Sequence, residues 1–280
     1  MKETNILVLS LFRDAGAYAS DFLSSLIELE RGTPQCNFEF AFYENDSVDN
    51  TVEILSNWER DCMLISEKKG FAKIPGGMIR ERQKNLSYYR NTLMEKSIKD
   101  HHDWVVWINS DSIFDSNVLN ELLSVNSWYN SDYDIIIEGK PHIISGLSYY
   151  RSTPTRLWDW GATRTLNNNY MKPPFPKPPY FPPLPKEKAL IKRKTKTALY
   201  IYPPHFPGIK EQEMFDKGVA VQVLSTFHEV CLYDAEVFKS GCLFDGDEKE
   251  IEPSGVCKDA LLKGLDRIVV TPRVKTYERM

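Results

Sequence analysis

Through its first 140 residues the chain alternates short apolar runs with amphipathic stretches, and this alternation constrains the fold more than any other feature. A short apolar run bounded by turn residues reads as a strand, and strand, helix, strand in succession is the unit of a parallel sheet. Ile6–Ser10 is then a buried strand, Gly16–Glu30 a helix, Phe38–Glu44 a second strand and Thr51–Arg60 its crossover helix. Met63–Ser66 makes a third, short strand. A loop holding Pro75-Gly76-Gly77 precedes a long helix over Arg80–Lys99, after which Trp104–Asn109 returns to the sheet. Ser116–Ser124 is helical and Asp134–Glu138 is another strand. The fold class is α/β, and 280 residues suffice for one large domain or two small ones with a substantial core.

The second half changes character at Pro173–Pro185, where eight prolines exclude helix and central strand and favour extended polyproline segments. This is an insertion or a lid. Lys186–Lys196 follows with six basic residues, a solvated stretch or a loop able to approach a diphosphate. Regular structure resumes with strands at Val219–Leu224 and Glu229–Tyr233, a helical Ala260–Leu262 region and a last strand at Arg267–Val270.

A formal charge of −4 leaves no electrostatic footprint for nucleic acid. The five cysteines are odd in number and form no CxxC pair, which argues against a structural zinc site or a disulfide scaffold. The N-terminal apolar run is too short for a signal peptide, and no later run approaches a membrane span. A soluble, cytoplasmic protein with reduced thiols is expected. Its oligomeric state is not legible.

Three segments carry chemistry. Phe38–Phe42 runs into Tyr43-Glu44-Asn45-Asp46-Ser47, so Glu44 and Asp46 sit at the carboxyl end of a strand, where open α/β sheets bind ligands. Carboxylates there accept hydrogen bonds from a base or ribose, while Asp49 or Ser47 caps the helix from Thr51; a plain capped turn has the same sequence. Trp104–Ile108 likewise ends in Asn109-Ser110-Asp111, with positions 109 and 111 on one side of the pleat, a spacing suited to a hard divalent cation or to a polar turn. Tyr88-Tyr89-Arg90-Asn91 in the long helix brings an arginine fork that matches diphosphate oxygens, unless it is merely solvated.

In this order the segments resemble GT-A glycosyltransferases, most nearly the fungal capsule-associated α-1,3-mannosyltransferase family, with the Golgi mannan α-mannosyltransferases more distant. The likeness continues in Gly218–Val223, Val230–Phe238, Glu252, Cys257-Lys258-Asp259 and Arg267–Val274, and so spans most of the chain outside the proline-rich segment. It implies a single domain of the Rossmann-like GT-A fold, with a nucleotide-sugar-binding half over 1–140 and an acceptor half over 141–280 that carries an insertion at 171–217. It also implies hexosyl or pentosyl transfer from GDP-mannose or a UDP-sugar to a hydroxyl of an oligosaccharide or glycoprotein glycan. Because no anchor is evident, the chain is also similar to the soluble glycosyltransferases of large algal viruses, for which UDP-xylose is a reasonable donor.

The resemblance assigns donor binding to Ser10, Phe12, Arg13, Glu44, Asp46, Arg90, Asn109, Ser110 and Asp111, and Mn²⁺ or Mg²⁺ to Asp111. One departure is Asn109, where the family pattern has Asp. The other is the proline-rich segment, which replaces the region of acceptor contacts. For the catalytic carboxylate the candidates are Asp159, framed by Trp158 and Trp160 as acceptor-stacking indoles, and Glu252; core tryptophans and an exposed acidic run are the plainer readings. His228 is either a ligand for metal or phosphate or a hydrogen-bonded strand-edge histidine. Two other functions compete: a catalytically degenerate glycan-binding protein, and a sugar-phosphate nucleotidylyltransferase. The latter lacks its glycine-rich, lysine-bearing loop after the first strand.

Overall fold

A strand covered on both faces buries every side chain, and β1 (Thr4–Phe12) behaves so: Ile6 to Leu9 are at most 1% exposed. The computed structural model describes residues 3–74, 79–150, 153–157, 164–166, 209–246 and 251–278. Trp158, Asp159, Trp160, the Pro75-Gly76-Gly77 loop, the basic run at 186–196 and most of the 171–217 insertion lie outside the described residues. Parallel to β1 run β2 (Cys36–Asn45), β3 (Cys62–Glu67) and β4 (Trp104–Ile108), in the spatial order β3-β2-β1-β4. The connections are α1 (Ala19–Gly32), α2 (Thr51–Ser56) and α3 (Arg80–Ser97), close to the expected helices.

Beyond β4 come β5 (Ser112–Ile113), α4 (Val118–Leu123), β6 (Ser127–Asn130), β7 (Ile135–Glu138) and β8 (Ile143–Tyr150). Short strands β9 (Thr153–Leu157) and β10 (Arg164–Thr165) precede α5 (Ile209–Asp216). The chain continues with β11 (Ala220–Ser225), β12 (Val230–Asp234), α6 (Ala235–Lys239), α7 (Pro253–Leu262) and β13 (Ile268–Glu278). All join one mixed sheet, whose path is β3-β2-β1-β4-β12-β8-β13-β11-β6-β7. Strand β12 lies antiparallel between β4 and β8, pairing Cys231 with Trp107 and with Ser145.

Each sheet face has its own core. On one, Leu7, Tyr43, Trp107 and Tyr233 pack against Tyr89 and Leu93 of α3 and Val256 and Ala260 of α7. On the other, Val8, Phe42 and Val106 pack against Phe22 and Leu26 of α1 and Leu119 of α4. Several elements were not expected, β5, β6, β9, β10, α5 and α6 among them, and two departures bear most on the sheet. Strand β8 was unforeseen because Ser145, Gly146 and Ser148 interrupt its apolar run; the hydroxyls are satisfied internally, Ser145 by Thr226 and Ser148 by His228 Nδ1 at 2.9 Å. Strand β13 continues past Pro272, where its register with β8 breaks between Val270 and Lys275 and resumes to Glu278.

Candidate functional site

Three parallel strands finish on one edge of the sheet. The register sets Phe12 of β1 beside Glu44 of β2 and Leu9 beside Trp107 of β4, so Ser10–Arg13, Glu44–Asp46 and Asn109–Asp111 converge at the carboxyl ends of adjacent strands.

The first two of these turns are held by carboxylates. Glu44, 2% exposed, accepts from Ser47 N at 2.8 Å and Ser66 Oγ at 2.6 Å, so its charge shapes the turn. Asp14 and Asp46 both have left-handed backbones, φ 49° and 55°, a region that short polar side chains tolerate best after glycine. Asp14 N donates to Ser47 Oγ, and its carboxylate accepts from Val48 N and Lys73 Nζ, both at 3.0 Å. Those partners, the Val48 amide first, hold its carboxyl below the usual range. Asp46 Oδ1 accepts from Gly70 N at 2.7 Å; burial opposes ionisation there, but the amides of Gly70, Asn45 and Phe71 outweigh it and the pKa is lowered. Arg13 donates to Phe71 O at 2.6 Å. The segment after β3, residues 68–74, is thereby strapped across this edge by Arg13, Asp14 and Asp46. Of the two expected caps, Asp49 reaches the start of α2, accepting from Thr51 N at 3.0 Å, while Ser47 serves Asp14.

Arg90 and Glu252, expected in separate roles, meet. Each is 5% exposed, and Arg90 Nε donates to Glu252 Oε1 at 3.1 Å. A second arm of the guanidinium donates to Asn109 Oδ1 at 3.3 Å. The rings of Trp107 and Phe227, each 4.7 Å away, and Phe244, at 5.3 Å, enclose the rest. Glu252 opens α7 with Pro253 at the first turn, and its own N–H donates to Gln83 Oε1 at 3.0 Å.

At the end of β4, Ser110 is buried and Asp111 half-buried. Burial raises the Asp111 pKa, with the Arg82 charge acting the other way. Glu278, facing Ser112 in the β5–β13 ladder, is pushed up to about 7 by burial and by the Asp111 charge. Asp111 and Glu278, whose charges burial disfavours and which feel one another, are two oxygen donors of the kind a hard divalent cation takes, so the residue types present fit such an ion. Tyr18 adds a hydroxyl that hydrogen-bonds Ser110; burial, then Asp111, raises its pKa. Below this, Ser112 Oγ donates to Glu229 Oε2 at 2.5 Å.

Some expected residues point elsewhere. Phe12 packs edge-on against Phe22 and Phe42 in the core, and Ser10 is fully buried beneath the edge. His228 is fully buried beside Ser148, and burial drives its pKa down to about 3. Glu278, Tyr18 and the 68–74 strap were not foreseen. A sequence signal existed for Glu278, the period-two pattern resuming after Arg273.

Among the described residues one group of three metal-ligating side chains lies close together, Glu39, His101 and His102, at the opposite end of the sheet. His102 Nδ1 accepts from Lys99 N at 3.0 Å, which leaves the proton on Nε2, and Lys99 Nζ holds Glu39 Oε2 at 2.6 Å. The group is an ion-pair cluster: Glu39 is held by Lys99 Nζ and His101 Nε2, while His102 Nε2 lies 3.5 Å from Glu39 Oε1 without a hydrogen-bond partner among the described residues.

No protein-family model and no curated protein sequence matches the chain. Solved structures do. The chain is similar to TarS 1-349 of S. aureus in complex with UDP-GlcNAc, at 12% identity and a TM-score of 0.51, over 99% of this chain and 59% of that one. It is similar to the mannosyltransferase PcManGT from Pyrobaculum calidifontis in complex with GDP-Man and Mn²⁺, at 10% identity and a TM-score of 0.52, over 100% of this chain and 58% of that one. The chain thus spans less than two thirds of either. The likeness is one of fold: a mixed α/β domain around a large central sheet, as in GT-A glycosyltransferases. No described helix is long and apolar enough to cross a membrane.

Proposed function

We propose that this protein is a glycosyltransferase that moves a sugar from a nucleotide-sugar donor to a hydroxyl of a glycan acceptor. The observation that carries the reading is the convergence of the polar ends of β1, β2 and β4 on one sheet edge of a GT-A fold. The half over 1–140 would bind the donor, and the half over 141–280, with its proline-rich insertion, the acceptor.

Within that edge, Arg13 and the strap at 68–74 bring cationic and backbone donor groups to the site, and the Asp46 carboxylate, which holds Gly70 N, is an acceptor for a ribose hydroxyl or a base N–H. Asp111, with Glu278 beside it, would hold Mn²⁺ or Mg²⁺ through oxygen ligands. When bound, the ion supplies charge neutralisation to a leaving nucleoside diphosphate. The chain's own residues position the donor, and a carboxylate takes the acceptor proton or stabilises charge on the sugar. Asp159 between its two tryptophans is proposed for that part, with Glu252 acting from behind the edge through Arg90.

The similar solved structures are complexes with UDP-GlcNAc and with GDP-Man, so both nucleotide classes belong in the test, with GDP-mannose, UDP-GlcNAc and UDP-xylose as donors. Ligand that binds the native state raises its melting temperature by mass action. A panel of these donors, each with Mn²⁺ and with EDTA, is expected to give stabilisation by one nucleotide class that Mn²⁺ strengthens. Asp111→Ala is expected to remove the Mn²⁺ increment and keep the fold. No stabilisation by any donor removes the reading. Asn109 favours a second one, a degenerate glycan binder, and donor stabilisation without sugar transfer to any glycan would select it.

A further inference from the structure

An arginine side chain has five N–H donors and no acceptor, so a side chain that meets it must turn its own acceptor inward. Around Arg90 this fixes an orientation. Nε is taken by Glu252 Oε1, a terminal nitrogen reaches Asn109 Oδ1 at 3.3 Å, and three aromatic rings close the other sides. The Asn109 carboxamide therefore stands with Oδ1 inward and Nδ2 outward. Asn109 is half-buried at the carboxyl end of β4, and among the described residues Nδ2 has no hydrogen-bond partner.

With Oδ1 taken by Arg90, the group this half-buried position has left to offer a ligand is a pair of N–H groups. A carboxylate here would have presented a negative acceptor, able to bind a cation or a ribose hydroxyl. The amide does the reverse, offering donors to an oxygen. Because Glu252 neutralises Arg90 from behind, the node presents a fixed dipole and adds little net charge. An ion pair buried this thoroughly holds its geometry by packing, so the amide does not have to be ordered when the ligand arrives.

We propose, resting on the nucleotide-sugar reading above, that Asn109 donates a hydrogen bond to an oxygen of the bound nucleoside diphosphate, and that Arg90 and Glu252 are the positioning residues that keep it donor-outward. Asparagine at this place is then a working substitution. It recognises the anion directly and leaves the cation to the carboxylates at 111 and 278, so part of the nucleotide affinity survives without metal.

The test is calorimetric titration of UDP and of GDP into the full chain, in EDTA and in Mn²⁺, for wild type, Asn109→Ala and Asn109→Asp. In EDTA, the wild type is expected to bind one of the two nucleotides, and Asn109→Asp to weaken it about tenfold or more, since a donor is lost and a negative charge faces the phosphates. Asn109→Ala, which loses the donor alone, is expected to fall between them. Adding Mn²⁺ is expected to recover more affinity in Asn109→Asp than in wild type. Equal affinity of all three proteins in EDTA overturns the inference and leaves the proposed function standing. Failure of the wild type to bind either nucleotide in either condition overturns both.

The positioning role has its own signature. The Asn109 side-chain amide signals in a ¹⁵N spectrum, identified by their disappearance in Asn109→Asp, are expected to shift when nucleotide is added to wild type in EDTA. In Arg90→Lys, which keeps the charge beside Glu252 but lacks the forked arm, that shift is expected to shrink while the thermal transition stays cooperative. An unchanged shift in Arg90→Lys overturns the positioning role.

Discussion

A guanidinium and a carboxylate both removed from water are costly unless they are paired, and Arg90 and Glu252, each about 5% exposed, meet each other. The stability of the pair therefore depends on keeping both members or neither. Arg90→Met leaves Glu252 as an unpaired buried charge and is expected to cost about 3–5 kcal/mol. Arg90→Met combined with Glu252→Met removes both charges into a pocket already lined by Trp107, Phe227 and Phe244, and is expected to regain most of that loss. Urea unfolding of the two proteins separates the cases; a double variant as unstable as the single would mean that the ion pair is not the unit of stability here. Asn109 loses its anchor in the double variant as well, so the recovered stability should come without recovered nucleotide affinity.

At the level of elements, the close approach of β8 and β13 rests on a missing side chain. A Cβ at Gly146 would lie 2.3 Å from Val274 Cγ1 and 2.7 Å from Val274 O, just where β13 bulges away from register. Gly146→Ala must move a backbone carbonyl in the middle of the sheet, and is expected to destabilise by about 1–3 kcal/mol, measured as a lower urea midpoint at unchanged slope. A midpoint equal to wild type would show that the two strands can separate at no cost. The same strands mark where the sequence stopped being readable. β1, β2 and β4 are largely apolar runs and were legible to within a few residues, as were Glu44 and Asp46 at the end of β2 and Asp111 after β4, whereas Asp14 after β1 was not. In β8, serines and a glycine hid a buried strand, because hydroxyls satisfied by distant partners look like loop residues in sequence. In β13 the expected strand stopped at Val270, before Pro272, and Glu278 was lost with it. α3 buries Gln83, Ser87, Arg90 and Ser97 along with Tyr89 and Leu93, so its inner face is largely polar. Arg90 looked free for a diphosphate, when its partner lay 162 positions away in the chain.

Over the whole molecule the two ends of the sheet carry different burdens. The carboxyl end gathers the polar residues of the candidate site, and the amino end is clamped by Glu39, which ties β2 to the approach to β4 through Lys99 Nζ at 2.6 Å and His101 Nε2 at 2.5 Å. Burial disfavours the Glu39 charge, yet the hydrogen bonds from Lys99 and His101 prevail and its pKa falls from 4.5 to about 2. A carboxylate whose folded pKa is depressed stabilises fully above its unfolded value, and that contribution disappears as pH drops through the folded value. His102 acts in the same direction: burial holds its pKa below 6.5 despite the Glu39 charge, so acid protonates the unfolded chain first. The difference in unfolding free energy between wild type and Glu39→Gln is therefore expected to persist from pH 7 down to about 4.5 and to vanish toward about 2. Urea unfolding at a series of pH values measures it, and a difference that persists at pH 2 would remove Glu39 from the acid response. Since the clamp lies at the far end of the strands from Asn109 and Asp111, Glu39→Gln should leave nucleotide affinity at pH 7 unchanged. A matching loss of affinity would mean that the two ends of the sheet are energetically coupled.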